Sequence, residues 1–143
     1  MKIVLDLKVV MDTNVFVSGV FFSGPPYQIL QAWQSGKFEL VVSQEILDEY
    51  RRVGEILSEE RPHVDLNPIL TFVIEYAKVY QPVELDQPIC EDPDDDKFFA
   101  CALASGSKVI VSGDKHLLKV SGYEGIEVLK PREFVDRYLA EQE

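Results

Sequence analysis

Four acids fall where a carboxylate is hard to explain as surface: Asp12, Glu49, Asp96 and Asp114. Asp12 closes the apolar run Val9-Val10-Met11, and Asp114 closes Val109-Ile110-Val111 through Ser112-Gly113. Glu49 lies three residues after Ile46 and four before Val53, on the apolar stripe of a helix, where an acid has no structural use. Asp96 precedes Phe99, Ala100 and Leu103 by three, four and seven residues and so shares their buried face. An unpaired carboxylate on such a face costs several kcal/mol or takes up a proton, and a bound metal removes that cost. Four carboxylates without neighbouring Cys or His ligands describe a hard oxygen site, so Mg²⁺ or Mn²⁺ is expected over zinc. Carboxylate sites of this kind serve phosphodiester hydrolysis.

Neighbouring acids have structural readings of their own. Glu45 stands in the first helical turn after Ser43, where the helix dipole favours any acid. Asp48 faces Arg51 and Arg52 at ion-pair spacing. Asp92, before Pro93, is a natural helix cap, with Asp94 and Asp95 in the first turn after it. Asp92 and Asp95 remain as supporting members, and Asp95 is the third acid if the register slips by one. Asp12 and Asp114 also have cap readings, for helices beginning near Val15 and at Lys115. Of the two histidines, His63 beside Pro62 reads as exposed and His116 as a packing residue. Neither a Ser-His-Asp arrangement nor a Gly-Lys-Ser/Thr phosphate loop is present. A haloacid-dehalogenase-type phosphatase needs an Asp where Asn14 stands, and the acids do not fit a response-regulator receiver.

The elements that must position these residues alternate along the chain. Strands are expected over 8–12 (with a backward extension over 3–6), 38–42, 79–85, 108–111 and 125–129. Pro82 places the third of these at a sheet edge. Helices are expected over 26–35, from Ser43 through Leu57, and over 67–78, 94–105, 115–119 and 132–141. Strands separated by helices need crossover connections, so the sheet is expected to be mostly parallel with helices on both faces. Such sheets bind ligands beyond the carboxyl ends of their strands, which is where Asp12 and Asp114 fall.

At 143 residues the chain is read as one domain, residues 1–143. A hydrophobic content of 46% with 27% charged residues is that of a globular protein. No stretch approaches the roughly 18 apolar residues that cross a bilayer. The opening residues lack a signal-peptide pattern, and Cys90 and Cys101 make no disulfide framework. A cytoplasmic protein without a membrane partner is expected. The net charge of −11 opposes a broad phosphate-binding face, although bound divalent cations would neutralise part of it and attract phosphate.

Asp12-Thr13-Asn14-Val15-Phe16-Val17-Ser18 resembles the opening of PIN-domain nucleases, and Ser43 followed by Glu49 resembles their second acidic motif. The stretches Asp92 to Ala100 and Ser112 to Leu118 resemble the third and fourth. Lys130-Pro131-Arg132-Glu133-Phe134 is similar to a subgroup of VapC-like toxins of toxin–antitoxin systems. The resemblance spans about residues 8–135. It implies a three-layer α/β sandwich around a parallel sheet of about five strands, and Mg²⁺- or Mn²⁺-dependent cleavage of RNA. It implies Asp12, Glu49, Asp96 and Asp114 as the acidic quartet, with Thr13, Asn14 and Ser112 in support. Arg51, Arg52, Lys97 and Lys115 are candidate phosphate contacts. An antitoxin partner and a homodimer are expected by the same analogy, with Phe21, Phe22, Trp33 and Tyr138 read as core before interface. The alternatives are a catalytically silent module binding protein or RNA, and a related metal-dependent phosphatase or DNA nuclease.

Overall fold

The computed structural model describes residues 7–140. The expected strand segment 3–6 and the last residue of the expected terminal helix, 141, lie outside the described residues. Five strands form one parallel sheet: β1 (Lys8–Met11), β2 (Glu39–Val42), β3 (Lys78–Val79), β4 (Val109–Val111) and β5 (Glu127–Leu129), in the order β3-β2-β1-β4-β5. Val9-Val10-Met11, Leu40-Val41-Val42 and Val109-Ile110-Val111 are buried at every position. Successive strand residues point to opposite faces, so both faces of the sheet are covered.

Seven helices flank the sheet among the described residues: α1 (Thr13–Phe21), α2 (Pro25–Gln34), α3 (Gln44–Glu60), α4 (Asn67–Tyr76), α5 (Asp96–Ser105), α6 (Lys115–Leu118) and α7 (Pro131–Phe134). Six of the seven starts have a local cause. Asp12, Ser43 and Asp114 accept hydrogen bonds from the first-turn amides of Val15, Ile46 and His116. Prolines at the first turns of α2, α4 and α7 lose no hydrogen bond there. Gly106, in the left-handed conformation, ends α5. After α7 the chain continues in wide π-helical turns over Val135–Leu139.

The third strand is shorter than expected. It ends at Val79, and only the Tyr80 amide, bonded to the Val42 carbonyl at 2.8 Å, extends the ladder. Pro82, with no N–H to donate, follows two residues later. Helix α3 runs on to Glu60, because Ser58, Glu59 and Glu60 sit on solvent-facing turns before Pro62. Phe21 and Trp33 are core, whereas Phe22 and Tyr138 are exposed. Both cysteines are buried and free. Among the described residues no helix is long and apolar enough to cross a membrane.

Strand order reverses at β1: the chain moves outward to β2 and β3, then returns to the other side of β1 for β4 and β5. The crevice at that reversal, beyond the carboxyl ends of β1 and β4, is where a doubly wound sheet accepts ligands.

Candidate active site

Hydrogen bonding carries the β ladders one residue past the strand ends. The Asp12 amide donates to the Val111 carbonyl at 3.0 Å, and the Ser112 amide to the Leu129 carbonyl at 2.9 Å. Asp12 and Ser112 therefore stand side by side, and the Ser112 hydroxyl donates to Asp12 Oδ2. The same hydroxyl oxygen accepts the Asp114 amide at 2.9 Å, so one serine ties both strand ends together. Asp12 Oδ1 accepts the Val15 amide at 2.8 Å. Asp12 thus caps α1 and belongs to the cleft at once, and Asp114 does likewise for α6.

Glu49 reaches this edge because α3 packs on α1. The rings of Phe16 and Tyr50 stack with centroids 4.1 Å apart, and Tyr50 donates its buried hydroxyl to the Met11 carbonyl at 2.7 Å. That fixes α3 against the end of β1. One residue before Tyr50, Glu49 accepts the Thr13 hydroxyl on Oε1.

The cleft is lined by Asp12, Thr13, Asn14, Glu49, Val53, Asp94, Asp95, Phe98 and Asp114. Its volume of about 160 Å³ holds a few waters, at roughly 30 Å³ each, or a hydrated cation.

Asp96 is not among those residues. Its carboxylate accepts the Cys90 amide at 2.8 Å and the Ile89 amide at 3.2 Å, which anchors the loop arriving from β3. Of the two candidates for the third acid, Asp95, the one reached if the register slips by one, lines the cleft with Asp94 beside it, and the expected Asp96 does not. Two physical reasons explain the slip. Pro93–Asp95 forms a tight 3₁₀ turn ahead of α5, capped by Asp92 through the Asp94 amide, and this rotates Asp95 onto the side of Phe98. Lys97 through Ala102 are all buried, so counting apolar positions along α5 selects no single face.

The remaining expected residues are placed as follows. Asn14 is exposed on the cleft wall. Lys97, expected as a phosphate contact, is instead buried and paired, its ammonium 3.3 Å from Glu49 Oε2 and 3.1 Å from Asp94 Oδ2. A lysine so enclosed is not available to a phosphate. Arg51, Arg52 and Lys115 are exposed. Arg52 pairs with Glu49 at 3.4 Å, whereas Asp48 accepts from Gln44 rather than from either arginine. His116, expected to pack, stands at the cleft rim with Nδ1 3.7 Å from Asp114 and 3.9 Å from Asp95. Its place two residues after Asp114, in the first turn of α6, was the signal for it.

Burial first, and neighbouring acids after it, raise the cleft carboxyls. Burial pushes the Asp12 carboxyl from 3.8 to about 6 against the pull of its Ser112 and Val15 donors, with Asp114 and Asp95 adding repulsion. Asp95 is likewise raised to about 6, by desolvation first and then by Asp114 and Asp92, with Lys97 opposing. One ligand atom each from Asp95, Asp114 and His116 lie within 4.8 Å of one another, which is a donor set for a cation.

The PIN domain family profile matches residues 8–116, a span that includes every residue lining the cleft. A relative, the uncharacterized protein MJ1680 of Methanocaldococcus jannaschii, is 29% identical over 150 aligned positions, covering 94% of this chain and 93% of that protein.

Proposed function

The chain belongs to the PIN-domain family, and from that premise we propose that it hydrolyses RNA phosphodiester bonds in a Mg²⁺- or Mn²⁺-dependent reaction. PIN domains are typically metal-dependent nucleases. The observation that carries the finer reading is the convergence of Asp12, Glu49, Asp94, Asp95 and Asp114 on one cleft at the sheet's reversal point.

The residues present fit a divalent cation: ligand atoms of Asp95, Asp114 and His116 lie within 4.8 Å of one another, and Asp12 and Glu49 line the same cleft. Asp12, Asp95 and Asp114 would hold it, with Glu49 opposite. When bound, such a cation acidifies water and neutralises charge on the phosphodiester. The protein's own contribution is positioning. Ser112 and the Val15 amide fix Asp12, Thr13 fixes Glu49, and the His116 amide fixes one oxygen of Asp114. Val53 and Phe98 wall the cleft with apolar surface, which lowers the local dielectric around the acids. Exposed Arg51, Arg52 and Lys115 are the phosphate contacts in this reading.

Cleavage of a 5′-labelled single-stranded RNA with Mn²⁺ and with Mg²⁺, comparing wild type with Asp12→Asn, tests it. A loss on the order of 100-fold or more is expected. Metal-dependent activity that survives the substitution contradicts the mechanism, and DNA cleaved in preference to RNA contradicts the substrate. A toxin role with an antitoxin partner and a homodimer belongs to the same reading and rests on the resemblance alone. Growth arrest on expression that a neighbouring gene relieves is the expected result.

A further inference from the structure

The cleft divides according to which carboxylate oxygens already have donors. On one side, Glu49 Oε1 accepts from Thr13, and Oε2 faces Lys97 Nζ at 3.3 Å and Arg52 Nη2 at 3.4 Å. The Lys97 ammonium also lies 3.1 Å from Asp94 Oδ2 and donates to the Asp94 carbonyl at 2.7 Å. On the other side, among the described residues, no hydrogen bond reaches the Asp95 carboxylate, and Asp114 accepts only on Oδ1. Among the described residues the His116 ring is the one basic group within 4 Å of those two acids, and its Nε2 lies 3.6 Å from Glu91 Oε1.

Lys97 is built into its half of the cleft. Its side chain is 5% exposed, against 66% for Asp94, so the buried partner of this pair is the lysine. Its ammonium lies 5.1 Å from the centre of the Phe98 ring. Lysine is rarely buried this far unless its charge is matched, and here three oxygens match it. A second divalent ion, about 3.5–4 Å from the first in two-ion sites, would have to displace an ammonium that those oxygens hold in a poorly solvated pocket.

We infer that the cleft takes a single divalent cation, on the Asp95–Asp114 side, and that the Lys97 ammonium supplies the second positive charge, on the Glu49–Asp94 side. Lys97 is thus a positioning residue, holding Glu49 and Asp94 across the cleft from the ion. His116 Nδ1, grouped with Asp95 and Asp114, adds an imidazole to the ion's carboxylate donors, a combination that favours Mn²⁺ over Mg²⁺. This rests on the metal-dependent reading above.

The test counts Mn²⁺ ions per chain, by calorimetry and by the electron spin resonance of free Mn²⁺. It compares wild type, Lys97→Gln and Lys97→Arg, with folding monitored by circular dichroism. One ion is expected for wild type and for Lys97→Arg, which keeps the charge. Two are expected for Lys97→Gln. In addition, Asp95→Asn should weaken the single site at least roughly 10-fold, and Glu49→Gln less than about 3-fold. Two ions of similar affinity on wild type overturn the inference and leave the metal-dependent reading intact, whereas no specific Mn²⁺ binding overturns both. A folded Lys97→Gln that still binds one ion also overturns it. Should Lys97→Gln unfold, the wild-type count and the Asp95→Asn against Glu49→Gln comparison decide.

Discussion

Asp12 accepts hydrogen bonds on both oxygens and still carries a carboxyl raised to about 6, because burial outweighs the two donors. Below its ordinary value of 3.8, folded and unfolded chains both hold the proton and nothing is lost. Between 3.8 and about 6 the unfolded chain ionises first, so the metal-free protein loses stability as pH rises. The full effect is on the order of 3 kcal/mol. Urea unfolding in EDTA should therefore show Asp12→Asn gaining on wild type between pH 4 and pH 7, and the order should reverse when Mn²⁺ is added. Protons compete with the cation for Asp12 and Asp95, so Mn²⁺ affinity is expected to fall about 10-fold per titrating acid between pH 7 and pH 5; calorimetry at the two pH values measures it. Ser112→Ala removes a donor to Asp12 and the acceptor of the Asp114 amide in one step. It is expected to cost roughly 1–3 kcal/mol in denaturant unfolding.

At the scale of elements, capping made much of the site legible. Ser43 reads as a cap and is one, and Asp12 and Asp114, read first as metal-site acids with capping as the competing reading, are caps as well; a cap on a strand end already faces the edge where a parallel sheet binds ligands. Glu49 was legible because it interrupts the apolar stripe of α3 with no local partner to excuse it. The third acid was not. Asp96 met the same criterion, a carboxylate on a buried face, yet two backbone amides satisfy it at a distance in sequence that no periodicity reveals. Pairing of Lys97 with Glu49 is likewise a contact between α5 and α3 that spacing within either helix cannot show. The hydrogen bond that joins α3 to β1 among the described residues is that of the Tyr50 hydroxyl on the Met11 carbonyl. Tyr50→Phe should cost about 1–2 kcal/mol by urea denaturation. It should also lower cleavage, because Glu49 is the residue next to it.

For the whole molecule, strand and helix order followed from alternation of patterns, and the parallel sheet followed from the crossovers that alternation requires. Strand order was not legible, since register between β1 and β4 depends on pairing across about a hundred residues. If the chain acts on RNA as proposed, its net charge of −11 limits how that RNA is held. With Ca²⁺ in place of Mn²⁺ to prevent turnover, fluorescence anisotropy of single-stranded RNA should give a log–log slope against monovalent salt no steeper than about −2, or roughly three phosphates. A steeper slope would mean a basic face that the exposed Arg51, Arg52 and Lys115 do not provide.

Asp95 and Asp96 are adjacent, chemically identical and assigned different tasks, so the most direct measurement sets them side by side. RNA cleavage at saturating Mn²⁺ by Asp95→Asn and Asp96→Asn, normalised to folded protein, should fall on the order of 100-fold or more for the first and less than about 10-fold for the second. The second should instead unfold at lower urea, having lost an acceptor of the Ile89 and Cys90 amides. Full activity in Asp95→Asn together with its loss in a folded Asp96→Asn would contradict the account.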